Sequence, residues 1–451
     1  MASISSSNKS VTVREMLPVL SASTVGTAIE WYDFFLYNFF AATIFGKLFF
    51  PNLDPITGIL ASFTTYYIGF IARPIGGAFF GWFGDRVGRK STLVSTLLLM
   101  GIATCLMGLT PVYTQVGIFA PLVITILRFL QGAGVGGEWG GSVLLSLEYG
   151  DNRRRGFWAS WPQTGVPVGL ALAAIVYLII QAFFPAGSQA FLNIGWRIPF
   201  FFSAILIIVG LIIRLRILDT PAFTNLKEGN RLARDPLTSV IRHSWKEIIL
   251  TALLRSGEQA PFYLFTTFVL SYGVTTLKIN INYLYTGIIV AAVISFVFMP
   301  TASMLSDRIG RKRWYQFGTI LMAVFAFPFF LLLQTTNPVA VVFSMAFAIG
   351  ICHAWIYGPQ AAFIAEHFGT KVRYSGSSLG YQLASLTAGG PAPILATLLI
   401  AQYHSYVAIA IYIIVMAAIS FAATLGLSEF AAKEAQADVD EPDTYAVPSE
   451  A

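Results

Sequence analysis

GWFGDRVGRK at residues 81–90 returns as SMLSDRIGRK at 303–312, an offset of 222 residues. Both copies read Asp-Arg, one apolar residue, then Gly-Arg-Lys, and both stand between long apolar runs. A second echo accompanies them. Glu148 ends one apolar run before RRRG (153–156), and Glu366 ends another before KVRYSG (371–376). The chain carries one plan twice.

The apolar runs decide what that plan is. Hydrophobic residues make up 56% of the 451 and charged residues 11%, whereas soluble domains carry roughly 25% charged residues. A membrane-spanning helix needs about 20 apolar residues. Twelve runs meet that need, near 18–46, 56–82, 91–110, 118–147, 156–183, 196–215, 246–274, 282–305, 314–333, 339–366, 374–401 and 405–427. The expected fold class is an all-α membrane protein with twelve transmembrane helices in two six-helix halves.

Charge sets the orientation. Of 28 Lys and Arg, Arg73, Arg128, Arg197 and Arg255 fall inside spans, and only Lys47 and Lys278 lie on the face opposite the termini. Cytoplasmic loops collect Lys and Arg, so both termini are expected in the cytoplasm. The net charge of +6 is then topology and implies no nucleic-acid partner. The expected parts are an N-terminal tail (1–17), a first bundle (18–215), a cytoplasmic linker (216–245), a second bundle (246–427) and a disordered, acidic tail (428–451). Two bundles in parallel repeat are the plan of a secondary transporter. No GxxxxGK[ST] phosphate loop is present and the four histidines lack metal spacing, so neither ATP hydrolysis, a cofactor nor enzymatic catalysis is expected.

GDRVGRK in the loop after the second span resembles the signature of the major facilitator superfamily. EWYDFFLY (30–37), RFLQGAGVGGEWGG (128–141), GWRIPF (195–200) and DTPAF (219–223) are together similar to its metabolite:proton symporters. That resemblance covers about residues 18–427. It implies carriage of shikimate, 2-oxoglutarate, citrate or another carboxylate, or of proline or betaine, with protons across a lipid bilayer. The expected protein is a monomer in the inner membrane of a prokaryote.

Several side chains are candidates for the work. Glu30 and Asp33 are one helical turn apart in the first run, where an ionisable group is costly unless it faces a cavity or a partner. The resemblance implies that Asp33 carries the proton against Arg128, with Glu30 as the alternative. Arg128, Gln131 and Glu138 project within about 80° of one another on a helix, and the Arg128 fork suits a carboxylate. Arg255 and Glu258 in the seventh run can pair, and Glu258 and Tyr263 are candidate substrate contacts. Tyr37, Gln163, His353, Tyr357, Tyr381 and Gln382 complete the candidate substrate set. Asp85, Arg86, Arg89 and Glu148, with Asp307, Arg308, Arg311 and Glu366, are expected to form a cytoplasmic gate.

Two other functions compete with import of an organic acid. WPQTGVPVG at 161–169 is loosely similar to the fifth helix of drug:proton antiporters. A transporter-like sensor would bind without transport.

Overall fold

The computed structural model describes residues 13–150, 152–185, 187–215, 236–369 and 372–429. Residues 1–12, linker residues 216–235 and the tail beyond Glu429 lie outside that range, and with them much of the expected tails and linker. Among the described residues there is no strand, and twelve long helices follow one another. In the first half they are α1 (Val13–Thr43), α2 (Pro55–Arg86), α3 (Arg89–Leu109), α4 (Phe119–Tyr149), α5 (Arg155–Phe183) and α6 (Ile198–Leu215). In the second they are α7 (245–275), α8 (Ile281–Ile309), α9 (Arg311–Gln334), α10 (338–365), α11 (373–403) and α12 (Val407–Leu425).

Local chemistry sets the ends. Asp54 accepts hydrogen bonds from the backbone N–H groups of Ile56 and Thr57, with Pro55 in the first turn of α2. Asn337 and Pro338 start α10 in the same way. Between α2 and α3, and again between α8 and α9, the chain reverses at Gly88 (φ 129°) and Gly310 (φ 106°). These are equivalent positions of the repeated motif, and a side chain would be strained at both.

Packing repeats as well. α2 packs on α4, α1 on α5 and α3 on α6; α8 packs on α10, α7 on α11 and α9 on α12. Across the middle, α5 lies against α8 and α2 against α11. Glycines bring backbones together inside the first half. A Cβ on Gly132 would stand 2.0 Å from the Gly69 carbonyl, and one on Gly136 2.1 Å from that of Arg73. That contact presses the arginine-bearing stretches of α2 and α4 together, next to α1.

Ten of these helices are long and apolar enough to cross a membrane by length and composition alone. The two that fall short, α1 and α7, carry Glu30 with Asp33 and Arg255 with Glu258, all buried. Ile205, Ile208 and Ile212 on α6 and Val293 and Val297 on α8 point outward, as a surface facing hydrocarbon requires.

Three π-helical turns, 264–268 in α7, 348–353 in α10 and 385–389 in α11, are the only ones among the described residues. All lie in the second half, and such turns gather at functional sites.

Both faces are closed. On the face of the termini, Tyr374 Oη donates to the Gly137 carbonyl at 2.7 Å. On the opposite face, Tyr67 Oη donates to the Leu386 carbonyl at 3.1 Å, and the Tyr177 and Tyr285 rings lie 4.4 Å apart. Between the closures the central cavity is too tight for a water-sized molecule, far below the roughly 300–1,000 Å³ of ordinary ligand pockets.

Gly136→Ala tests the backbone contact. The added methyl forces α2 and α4 apart, at about 1–3 kcal/mol. Its thermal unfolding temperature in detergent should fall below that of the parent protein. An unchanged temperature would mean that the contact is not tight.

Candidate functional site

The central cavity is lined by Trp31 of α1, Val166 of α5, Arg255, Glu258, Gln259, Phe262 and Tyr263 of α7, and His353 and Tyr357 of α10. A wider cleft on the face opposite the termini, beside Tyr272, Gln334 and His404, is lined by no carboxylate, lysine or arginine. The charged chemistry is at the centre, where the π turns lie. His353 closes the turn of α10 and Ser385 opens that of α11.

In the second half the charges are matched. Arg255 lies 3.5 Å from Glu258 and donates to Gln259 at 2.5 Å, to the Tyr381 carbonyl at 2.8 Å and to Ser385 Oγ at 3.0 Å. Glu258 Oε1 meets His353 Nε2 at 2.8 Å, and Gln360 reaches the other oxygen at 3.4 Å. The imidazole stacks between Phe262 and Tyr357, with its Nδ1 unpartnered. Tyr357 and Tyr381 share a hydrogen bond at 2.9 Å. Thus the expected Arg255–Glu258 contact exists, and the histidine shares the carboxylate.

Among the described residues, two guanidinium groups of the first half have no acid partner. Arg73 and Arg128 are fully buried, and no carboxylate forms an ion pair with either. Each Cζ lies 4.1 Å from the Phe34 ring. Arg73 makes only long contacts, at 3.5 Å, to Tyr263 Oη and Ser385 Oγ, and leaves Nε and Nη2 unpartnered. Arg128 donates to Asn38 Oδ1 at 2.8 Å and to Gln131, and leaves Nε unpartnered. Two like charges held against one ring repel each other. Removing each ion from water costs several kcal/mol; against this, three rings face each guanidinium, Trp31, Phe34 and Phe70 for Arg73 and Phe34, Tyr37 and Tyr66 for Arg128, each returning roughly 0.5–2 kcal/mol.

The expected pairing of Asp33 with Arg128 is not present. Asp33 accepts from Ser203 on α6, and Arg128 reaches its neighbourhood only through Gln131, which donates to the Asp33 carbonyl at 3.2 Å and to Thr104 at 2.8 Å. Asp33 turns toward α3 and α6, away from the ring face where Arg128 sits. Tyr37 donates to Thr65 at 2.7 Å while its ring supports Arg128, so neither Tyr37 nor Gln131 lines the cavity.

Glu30 and Glu138 also face away from the centre. Both contact Nη2 of Arg214, Glu30 at 2.8 Å. Glu30 is thus held with Glu138 at Arg214 and not at Asp33. Arg214, at the end of the run 196–215, is 2% exposed. It ends an apolar run, where a loop position is the default reading, and Gly26 leaves space for it: a Cβ there would stand 2.6 Å from the guanidinium.

The remaining candidates join the halves. Gln163 accepts from the Trp139 indole at 3.0 Å and donates to the Tyr357 carbonyl at 3.3 Å. Trp139 stacks on Tyr381 at 3.8 Å, and Gln382 donates to the Gly136 carbonyl at 3.2 Å.

On the face of the termini, Arg311 holds Glu366 through two hydrogen bonds of 2.6 and 2.8 Å and Asp307 at 3.0 Å. Asp307 crosses between halves and accepts from the Gly156 and Phe157 N–H groups at the start of α5, at 2.9 and 3.0 Å. There the helix dipole favours an anion. Arg308 is exposed, and Arg86 lies over Trp82. The side chains of Asp85, Arg89 and Glu148 lie outside the described set. At the end of the motif, Lys90 binds the Leu215 carbonyl at 2.8 Å, and Lys312 binds that of Leu427 at 3.0 Å. The repeat therefore ties the third helix of each half to its sixth.

Residues 23–392 match the Major Facilitator Superfamily. The chain belongs to that superfamily. It is 37% identical to the inner membrane metabolite transport protein YhjE of Escherichia coli (strain K12), over 90% of this chain and 93% of that one. It is 36% identical to the shikimate transporter of the same organism, over 87% and 90%, and 33% identical to the proline/betaine transporter, over 91% and 83%. A solved structure of the proton:xylose symporter XylE, bound to 6-bromo-6-deoxy-D-glucose, has TM-score 0.70 at 17% identity, covering 91% and 94% of the two chains. That likeness shows the twelve-helix fold. This major facilitator protein is a multi-pass membrane transporter of metabolites, not an enzyme.

Breaking a buried ion pair by removing one partner costs about 3–5 kcal/mol. Glu366→Gln should therefore loosen closure on the face of the termini. Hydrogen–deuterium exchange of residues 155–160 and 303–309 should accelerate; unchanged exchange would show that Glu366 does not hold that closure.

Proposed function

We propose that this protein imports a small organic acid with protons, by alternating access, across the inner membrane of a prokaryote. In this reading both termini are cytoplasmic and the protein works as a monomer. Residues 18–215 and 246–427 form two bundles that move about the central site, joined by the cytoplasmic linker 216–245. The Arg311–Glu366–Asp307 network then acts as the cytoplasmic gate.

The observation that carries the reading is the pair of buried arginines without an acid. Arg255 lines the cavity with Glu258, Arg73 and Arg128 add two cations just behind that lining around Phe34, and Arg214 holds Glu30 and Glu138 elsewhere. A carboxylate substrate balances that excess, and a guanidinium fork suits a carboxylate in geometry as well as charge. A cationic drug, the cargo of an antiporter of this fold, would worsen the imbalance. A betaine-like zwitterion would bring a further cation with its carboxylate.

Uptake into proteoliposomes with an inside-alkaline gradient tests the direction: import supports the reading, export supports an antiporter, and neither supports a sensor. Arg73→Gln should weaken binding of a transported organic acid by roughly 30-fold or more. Arg128→Lys keeps the charge, loses the planar fork and should slow uptake strongly. Normal binding and uptake in both variants would remove the arginines from the substrate site.

A further inference from the structure

We infer that Glu30, Glu138 and Arg214 form a proton-binding site, separate from the substrate cavity, that holds one exchangeable proton between its two carboxyl groups. This assignment rests on the reading of the protein as a proton symporter and names the residues that carry the ion.

Three helices build the site. Glu30 comes from α1, Glu138 from α4 and Arg214 from the end of α6, and all three are no more than 3% exposed. One nitrogen, Arg214 Nη2, contacts both carboxylates. Arg214 Nη1 is already given to the Leu93 carbonyl of α3. Ser142 donates to Glu138 Oε1 at 2.9 Å, and Thr27 donates at 3.4 Å. Glu30 has no such donors, and its Oε2 is buried without any hydrogen-bond partner. Contact with the same nitrogen brings the two carboxyl groups side by side.

The charge count is decisive. Two carboxylates against one guanidinium leave a buried net negative charge, and a single proton makes the cluster neutral. Among the described residues no other cation forms an ion pair with either acid: α3 presents a carbonyl there, and the next acid on α1, Asp33, is bound to Ser203. The proton adds to the carboxyl oxygen without other bond changes, and it leaves as water takes it up. The site connects to the cavity through its neighbours in sequence. Trp31 lines the cavity, and Trp139 stacks on Tyr381 across the halves. A shift of α1 or α4 on substrate binding therefore moves Glu30 or Glu138 relative to Arg214.

Infrared difference spectroscopy of the purified full chain across a pH titration reads the proton directly. The parent protein should show the carbonyl band of a buried, titrating carboxylic acid. Glu138→Gln leaves Glu30 paired with Arg214 as a neutral ion pair, so that band should be lost, and Glu30→Gln should remove it equally. Melting temperature reports folding, and either variant alone suffices. A band that survives in the folded variants and disappears only in Asp33→Asn would overturn the assignment. A second arm uses shikimate and 2-oxoglutarate as probes in proteoliposomes. Variants lacking the site should keep exchange while the pH gradient no longer accelerates uptake. If the parent protein takes up neither acid with the gradient, the proposed function fails, and the infrared result still decides the proton site.

Discussion

A charge buried in a membrane must be balanced inside the protein or by what the protein carries. In this chain the balance is uneven. The first bundle holds one cluster with too many acids and, one helix face away, two arginines with none. Glu30 and Asp33 show how closely these sets are laid down: they are neighbours on α1, yet one turns to Arg214 and the other to Ser203. Phe34, next in sequence, faces Arg73 and Arg128. One turn of helix thus separates an acidic excess from a basic one. On the proposed function an anion and a proton correct both, which would give a physical reason for carrying them together.

The rest of the structure serves that arrangement. Glycine contacts between α2 and α4 hold Arg73 and Arg128 against α1. The second bundle is internally balanced by Arg255, Glu258 and His353, and its three π turns place His353, Tyr263 and Ser385 at the boundary between bundles. α1 and α7 are equivalent positions of the two halves, and they are the least apolar spans because both give side chains to the interior. With both faces closed around a small cavity, a substrate of several heavy atoms enters only after one closure opens.

Much of this was legible in the amino-acid order. The repeated DRxGRK motif and the twelve apolar runs are direct consequences of bilayer thickness and loop charge. The glycines of α4 marked close packing, and Arg128 stood out as a cation within a span. The pairings were not legible. Spacing places Glu30 and Asp33 on one side of a helix, but which neighbour each meets depends on how α1, α3, α4 and α6 rotate together. Arg214 hid at the end of an apolar run. Arg73 and Asn38 sat in plain view as polar residues inside spans, and only their contacts give them a place beside Arg128.

The central claim is that a substrate carboxylate completes the two unbalanced arginines. A cryo-electron microscopy structure with the organic acid that most raises the melting temperature tests it directly. The account predicts a carboxylate oxygen within hydrogen-bonding distance of the Arg73 or Arg128 guanidinium. A substrate whose carboxylates bind only to second-bundle residues, with both arginines still lacking an anion, would contradict it.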